Sequence, residues 1–324
     1  MVCEYQDFVN LRLTGRYVAS ANNAAVRWHW RGGVAPPASM LESLGLSELV
    51  SKWPAEALGV GERVGVLTAA AAEHCGLPLG TPVAQGGADA FIGMVGLGVV
   101  DPGQMALITG SSHLHLGVCE SPLHGRGMFG SYAGALLPGS LVVEGGQTST
   151  GSVVAWFAKR ICGLDGYGEL NEEAAAVPAG CEGLVCQEHF QGNRTPHTDP
   201  GSRGAFIGLT LRHGRGHMFR ALLEGVAYGT RLVVDTMRGN GYEPKRITLA
   251  GGVSRSPLWL QIHADVTGLP LELTRCADAP ALGCAVLAAA CAGLHPSVRE
   301  AARAMVHVER VVEPAGGAAG GAHG

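Results

Sequence analysis

Lysine is nearly absent from this 324-residue chain: Lys52, Lys159 and Lys245 stand beside twenty arginines. Charged residues make up only 15% and aromatic residues 6%, and the formal net charge is −4. No run of basic side chains follows a predicted helix, so the chain does not read as a nucleic-acid binder. The arginine excess reads as codon usage. Paired cysteine hooks are missing too. The nine cysteines are scattered and odd in number, which reads as buried free thiols in a reducing compartment, the cytoplasm. The opening residues have neither a charged nor an apolar signal segment. The longest apolar run, Ala281 to Leu294, is fourteen residues, short of the roughly 18–20 that span a bilayer, so no membrane association is expected. What is present is 47% hydrophobic residues with 50 Gly and 17 Pro. That composition suits one or two folded cores with many tight turns.

The chain opens inside an apparent core helix, Glu4 to Leu13, with no leading strand, so a truncated start is expected. A Gly/Pro-rich connector over 31–60 carries one short helix, Ser39 to Ser51, and a helix at Thr68 to Cys75 follows. Strands are predicted at 82–85, 104–109, 114–118, 141–144, 205–209, 247–250 and 271–274. Helices are predicted at 88–97, 149–161, 167–176, 217–237, 258–266, 281–292 and 296–306. Their alternation describes α/β layers. The Gly/Ala-rich end, Pro314 to Gly324, has nothing to bury and is expected to be disordered.

Four turns share one grammar of strand, small residues and open backbone. In Ala84-Gln85-Gly86-Gly87-Ala88-Asp89 a glycine pair leads into an Asp in a first helical turn. The helix N-terminus favours an ionised carboxylate and the glycines admit a ligand, so Asp89 is a candidate general base; a helix cap is the plainer alternative. Thr109-Gly110-Ser111-Ser112 ends a strand as an anion-binding nest would. Glu144-Gly145-Gly146-Gln147-Thr148-Ser149 and Ala250-Gly251-Gly252-Val253-Ser254 repeat the pattern. Together they predict a crevice for a phosphorylated or nucleotide ligand. Gly125 to Gly130 fits GxGxxG but follows no strand, so it is no dinucleotide fingerprint. His113, His115 and Cys119, and likewise Cys181, Cys186 and His189, have loosely metal-like spacing without paired hooks, and no metal ligand is assigned.

The runs DFVNLRLTG (from Asp7), GGADAFIGMVGLG, TGSS, GGQTSTGSVVAWF, GNRTPHTDPGSRG and AGGVSRSPLWLQIHADVTGLPL, in this order up to about residue 306, resemble the FGGY carbohydrate kinases. TGSSH, GGQTSTGS and QGNRTPHTD look most like its D-ribulokinase branch. The resemblance implies an actin/hexokinase-like (ribonuclease H-like) ATPase fold with ATP and Mg²⁺ as cofactors and a small sugar or polyol as substrate. It implies that Asp89 deprotonates the sugar hydroxyl and that Gly110, Ser111 and Ser112 hold the β/γ-phosphates. Gly251 and Gly252 would lie against the nucleotide, with Gly146 and Gln147 lining the same cleft.

By the same resemblance, residues 1–100 are the remnant of the N-terminal sugar-binding domain and 101–306 the C-terminal nucleotide-binding domain. Residues 307–324 are then a disordered tail. The family's first strand and its phosphate and Mg²⁺ turn have no counterpart here. The expected activity is phosphorylation of D-ribulose to D-ribulose 5-phosphate. Xylulose, ribitol or glycerol are alternative substrates, and a non-catalytic nucleotide-binding or interaction fragment is the alternative role. Exposure of half a cleft also predicts self-association, as a homo-oligomer.

Overall fold

A computed structural model of the chain describes residues 1–31 and 33–316. A seven-stranded sheet organises most of it. The elements used below are, in chain order, α1 (Tyr5–Thr14), α2 (Asp89–Gly96), β1 (Gln104–Thr109), β2 (His113–Cys119), β3 (Ser131–Ala133), β4 (Leu141–Gln147), α3 (Gly151–Trp156), α4 (Gly168–Ala176), α5 (Arg215–Gly239), β5 (Arg246–Gly251), α6 (Pro257–Thr267), β6 (Leu271–Thr274), α7 (Ala279–Cys291), α8 (Val298–Met305) and β7 (Val308–Val312). The strand order is β7-β6-β5-β1-β2-β4-β3. β1, β5 and β6 run parallel, and every other pairing is antiparallel.

Both faces of the sheet are covered, as a sheet with parallel strands at its centre requires. Alternation along β1 sends Met105 and Leu107 into one core and Ala106 and Ile108 into the other. The first core is closed by α5 and α6, whose Phe219, Leu222, Val226, Val233 and Leu260 are buried. α5 runs 25 residues with its apolar stripe inward, and the side chain of Ser256 caps α6 by accepting from the Trp259 N–H. The second core is closed by α2 and α7. These two helices touch backbone to backbone: a Cβ on Gly96 would collide with the Ala279 carbonyl, and one on Gly283 with that of Ile92. Phe91 to Val100 pack in the same cluster as Ala106 and Leu116, so a division at residue 100 cuts through one core.

Most predicted elements stand within two residues of their expected ends. The helix expected over 39–51 is instead two short turns, Ala38–Ser43 and Leu49–Lys52, separated at Gly45 with φ +68°. The helix expected to reach Ile161 changes to a π-turn, Phe157–Ile161. The largest correction is at the end. Residues 307–324 were expected to be a tail, but Val308–Val312 is an edge strand antiparallel to β6, with Val312 buried. Its three β-branched valines suit a strand. Residues 317–324 lie outside the described residues. Of the nine free cysteines only Cys119, Cys181 and Cys186 are buried, while Cys75 and Cys284 are exposed. Among the described residues no helix is long and apolar enough to cross a membrane.

Candidate functional site

The parallel strands β1 and β5 end side by side, Thr109 opposite Gly251. Loops leaving the carboxyl ends of parallel strands are where an α/β sheet offers a crevice. Gly251 has φ +102°, and a Cβ there would collide with the Thr109 carbonyl, so only glycine serves. The Thr109 hydroxyl donates to the Ala250 carbonyl (2.8 Å) and accepts from the Val253 N–H (3.1 Å), riveting the two loops together.

The Gly110–Ser112 turn is held from the other side by α3. The N–H groups of Thr150 and Ser152 donate to the Ser111 carbonyl, each at 3.1 Å, and the Ser152 hydroxyl adds a third bond at 2.9 Å. A Cβ on Gly151 would strike the Gly110 carbonyl. Ser111 and Ser112 are themselves exposed, and among the described residues their amides and hydroxyls have no protein acceptor. A rigid turn with four unspent donors is suited to anionic oxygens.

Asp89 opens α2 at the rim of this turn. It is exposed, and its Oδ1 accepts from the next residue's N–H at 2.8 Å. A pocket of about 210 Å³ brings Asp89 together with Gly110, Ser111 and Ser112, with Pro280 and Leu114 beside them. The glycines ahead of Asp89 have a different use from the one expected. The space beside Gly87 is filled by Asn22, whose Oδ1 would lie 2.5 Å from a Cβ, and that beside Gly86 by Gln6. Asn22 also accepts from the Ala88 N–H (2.8 Å) and donates to the Ala135 carbonyl (2.6 Å), while the Ser20 hydroxyl donates to the Gly86 carbonyl (2.7 Å). The glycine pair therefore admits protein side chains that fix the start of α2, not a ligand. Behind them Asp7 is fully buried. Desolvation raises its carboxyl to about 6, against the N–H groups of Ser20 and Glu4 that favour the charged form.

Gly146 and Gln147, expected in the same cleft, are the last two residues of β4 and are buried. The Gln147 amide donates to the Val226 carbonyl (3.0 Å) and Glu188 (3.2 Å), and its oxygen accepts from Thr230 (2.9 Å). Arg194, ion-paired with Glu144, lies over Gly146 with Nη1 2.8 Å from where a Cβ would be. These two residues support the site from within and do not line it.

Gly252 lines a second pocket of about 320 Å³ with Tyr167, Asn171, Arg255, Ser256 and Trp259. Gly151 joins the two pockets, since it lines this one and touches the Gly110 carbonyl. Sequence reasoning missed this wall. Trp259 was legible only as part of a helix, and Tyr167 and Asn171 come from α4 and its N-cap, with no local signal.

His113 follows Ser112 directly but points into the core. It forms a buried cluster with His115 and His263, ring centroids 6.4 and 5.6 Å from its own, against Trp259. Desolvation first, and neighbouring imidazoles second, hold His113 well below the usual value and lower His115 to about 3; desolvation lowers His263 to about 4.

The profile described as "FGGY family of carbohydrate kinases, C-terminal domain" matches residues 105–292. The chain is similar to the ribulokinase of Mycolicibacterium smegmatis, 35% identical over 93% of this chain and 56% of that protein. It is likewise similar to the ribulokinase of Shouchella clausii, 34% identical over 90% and 54%. Among solved structures it superimposes on the xylulose kinase from Rhodospirillum rubrum with a TM-score of 0.83 at 30% identity, covering 98% of this chain and 64% of that one. The chain thus spans about half the length of the curated relatives it matches. With more than half of its residues under the family profile, the chain belongs to the FGGY family of carbohydrate kinases.

Proposed function

We propose that the chain takes part in transfer of the γ-phosphoryl group of ATP to a hydroxyl of a pentulose, with D-ribulose the first candidate. The observation that supports this best is the single pocket shared by Asp89 and the Gly110–Ser112 turn. Phosphoryl transfer needs little covalent help from a protein: it needs the phosphates fixed, the developing charge stabilised and the attacking hydroxyl relieved of its proton. The amides and hydroxyls of Ser111 and Ser112 fix phosphate oxygens. The Asp89 carboxylate, held at a helix N-terminus and open to solvent, accepts the proton. Gly252 and the pocket beside it seat the nucleotide base, and Gly251 gives the loop its close approach to β1.

The family also implies Mg²⁺. Among the described residues no three His, Cys, Asp or Glu side chains converge to hold a metal. The described residues lining the phosphate pocket include one carboxylate, Asp89. That donor set does not fit a resident ion. Magnesium commonly relies on substrate phosphates for much of its coordination.

The names of the relatives, ribulokinase and xylulose kinase, support a five-carbon ketose as substrate. The test is MgADP formation by the purified chain with ribulose, xylulose, ribitol and glycerol, beside Asp89→Asn. Turnover with one sugar that falls by ~10²–10⁴ in the variant, with nucleotide binding unchanged, is the expected result. Nucleotide binding without turnover on any sugar would instead assign a non-catalytic nucleotide-binding role.

A further inference from the structure

The pocket beside Gly252 carries an inference about which base it prefers, and it rests on the reading of that pocket as the base site. Its floor and walls, Val154, Phe219, Leu223 and Trp259 among them, hold the face of any purine equally. Selection falls to the polar groups. Asn171 donates to the Tyr167 carbonyl (2.8 Å) and accepts from the Ser256 hydroxyl (3.0 Å). Ser256 in turn accepts from the Trp259 N–H, and the Trp259 indole N–H donates to the Leu223 carbonyl (3.1 Å). These groups are engaged with one another. Arg255 is exposed at the pocket and, among the described residues, has neither a carboxylate partner nor a hydrogen bond. A guanidinium is donor-only. The Tyr167 hydroxyl turns to donate or accept and does not discriminate.

We infer that Arg255 sets the base preference, and that this pocket takes 6-oxopurine nucleotides, inosine and guanosine triphosphates, at least as well as ATP. A guanidinium fork matches the N7 and O6 acceptors of a 6-oxopurine, whereas adenine offers N7 beside an amino group that is itself a donor. The 2-amino group of guanine plays no part, so inosine and guanosine nucleotides behave alike.

The test is calorimetric titration of the whole chain with MgATP, MgITP and MgGTP, without sugar. It is repeated on Arg255→Leu and on Arg255→Lys, which keeps the charge but loses the fork. The expected result is ITP and GTP binding no more weakly than ATP in the parent chain. In Arg255→Leu they should weaken about tenfold while ATP changes by less than about threefold, with Arg255→Lys also losing the 6-oxo preference. ATP binding tenfold tighter than ITP would overturn the inference and give the amine to the second lone pair of Asn171. Equal weakening of all three nucleotides in Arg255→Leu would also overturn it, placing the arginine on the phosphates. No binding of any nucleotide would overturn the assignment of the base pocket itself.

Discussion

Lowering the pH from 7 to 5 should destabilise this fold sharply, and the structure gives the magnitude. His113, His115 and His263 are at most 1% exposed. Native His115 and His263 titrate at about 3 and 4, and native His113 is held well below its usual value. In the unfolded chain each imidazole binds its proton near 6.5. Between pH 6.5 and 5 the unfolded state therefore holds more protons than the native one, and stability falls as pH falls. His115 and His263 each cost roughly 2 kcal/mol at pH 5, about 4 kcal/mol together, and His113 adds to the loss in the same direction.

Asp7 works in the opposite sense. Its native carboxyl, raised to about 6, takes up a proton before the unfolded one does. That stabilises the native state as pH falls through 6, by about 1 kcal/mol at pH 5. Less the Asp7 contribution, His115 and His263 leave a loss of about 3 kcal/mol, a large part of a domain's stability; His113 adds to it, and the buried Glu188 carboxyl, raised by desolvation, works against it. Urea denaturation at pH 7 and pH 5 measures it, and His263→Phe should reduce the pH dependence by roughly 2 kcal/mol. An unchanged midpoint between the two pH values, or native imidazoles titrating near 6.5 by NMR, would refute the reasoning.

Gly283→Ala drives a Cβ into the Ile92 carbonyl and should cost about 1–3 kcal/mol by forcing α2 from α7; thermal melts check it. Thr109→Val removes the hydroxyl that bridges Ala250 and Val253 and leaves a buried N–H unpaired, a loss of about 1–3 kcal/mol. Its nucleotide affinity should also fall, read by calorimetry, because the rivet between the two loops is gone. In α5, Arg220 and Glu224 form a buried pair at 2.7 Å. Glu224→Leu strands the guanidinium and should cost about 3–5 kcal/mol, visible as a lower denaturation midpoint.

The local devices were legible in the sequence because they act within a few residues. The Ser256-Pro257 start of α6, the apolar stripe of α5 and the hydroxyl-rich turn at 110–112 are short-range signals of capping, periodicity and turn chemistry. Asp89 was legible for the same reason: a carboxylate in the first turn after a glycine pair. The sequence could not say what filled the space beside those glycines. Gln6 and Asn22 fill it, more than sixty residues away along the chain. It could not separate Gly146 and Gln147 from the other glycine turns either. The same strand-then-glycine grammar describes an exposed turn and a buried strand end packed under Arg194, and only the neighbours decide. The edge strand β7 was hidden for a similar reason, since its partner β6 supplies the ladder that a short charged segment lacks alone. Composition and periodicity thus determined the α/β layers and the turns where chemistry could sit. The tertiary structure decided which turns meet Asp89, which face the pocket lined by Arg255 and Trp259, and which histidines are sealed in the core. Those outcomes depend on contacts between residues far apart in sequence, which no local pattern encodes.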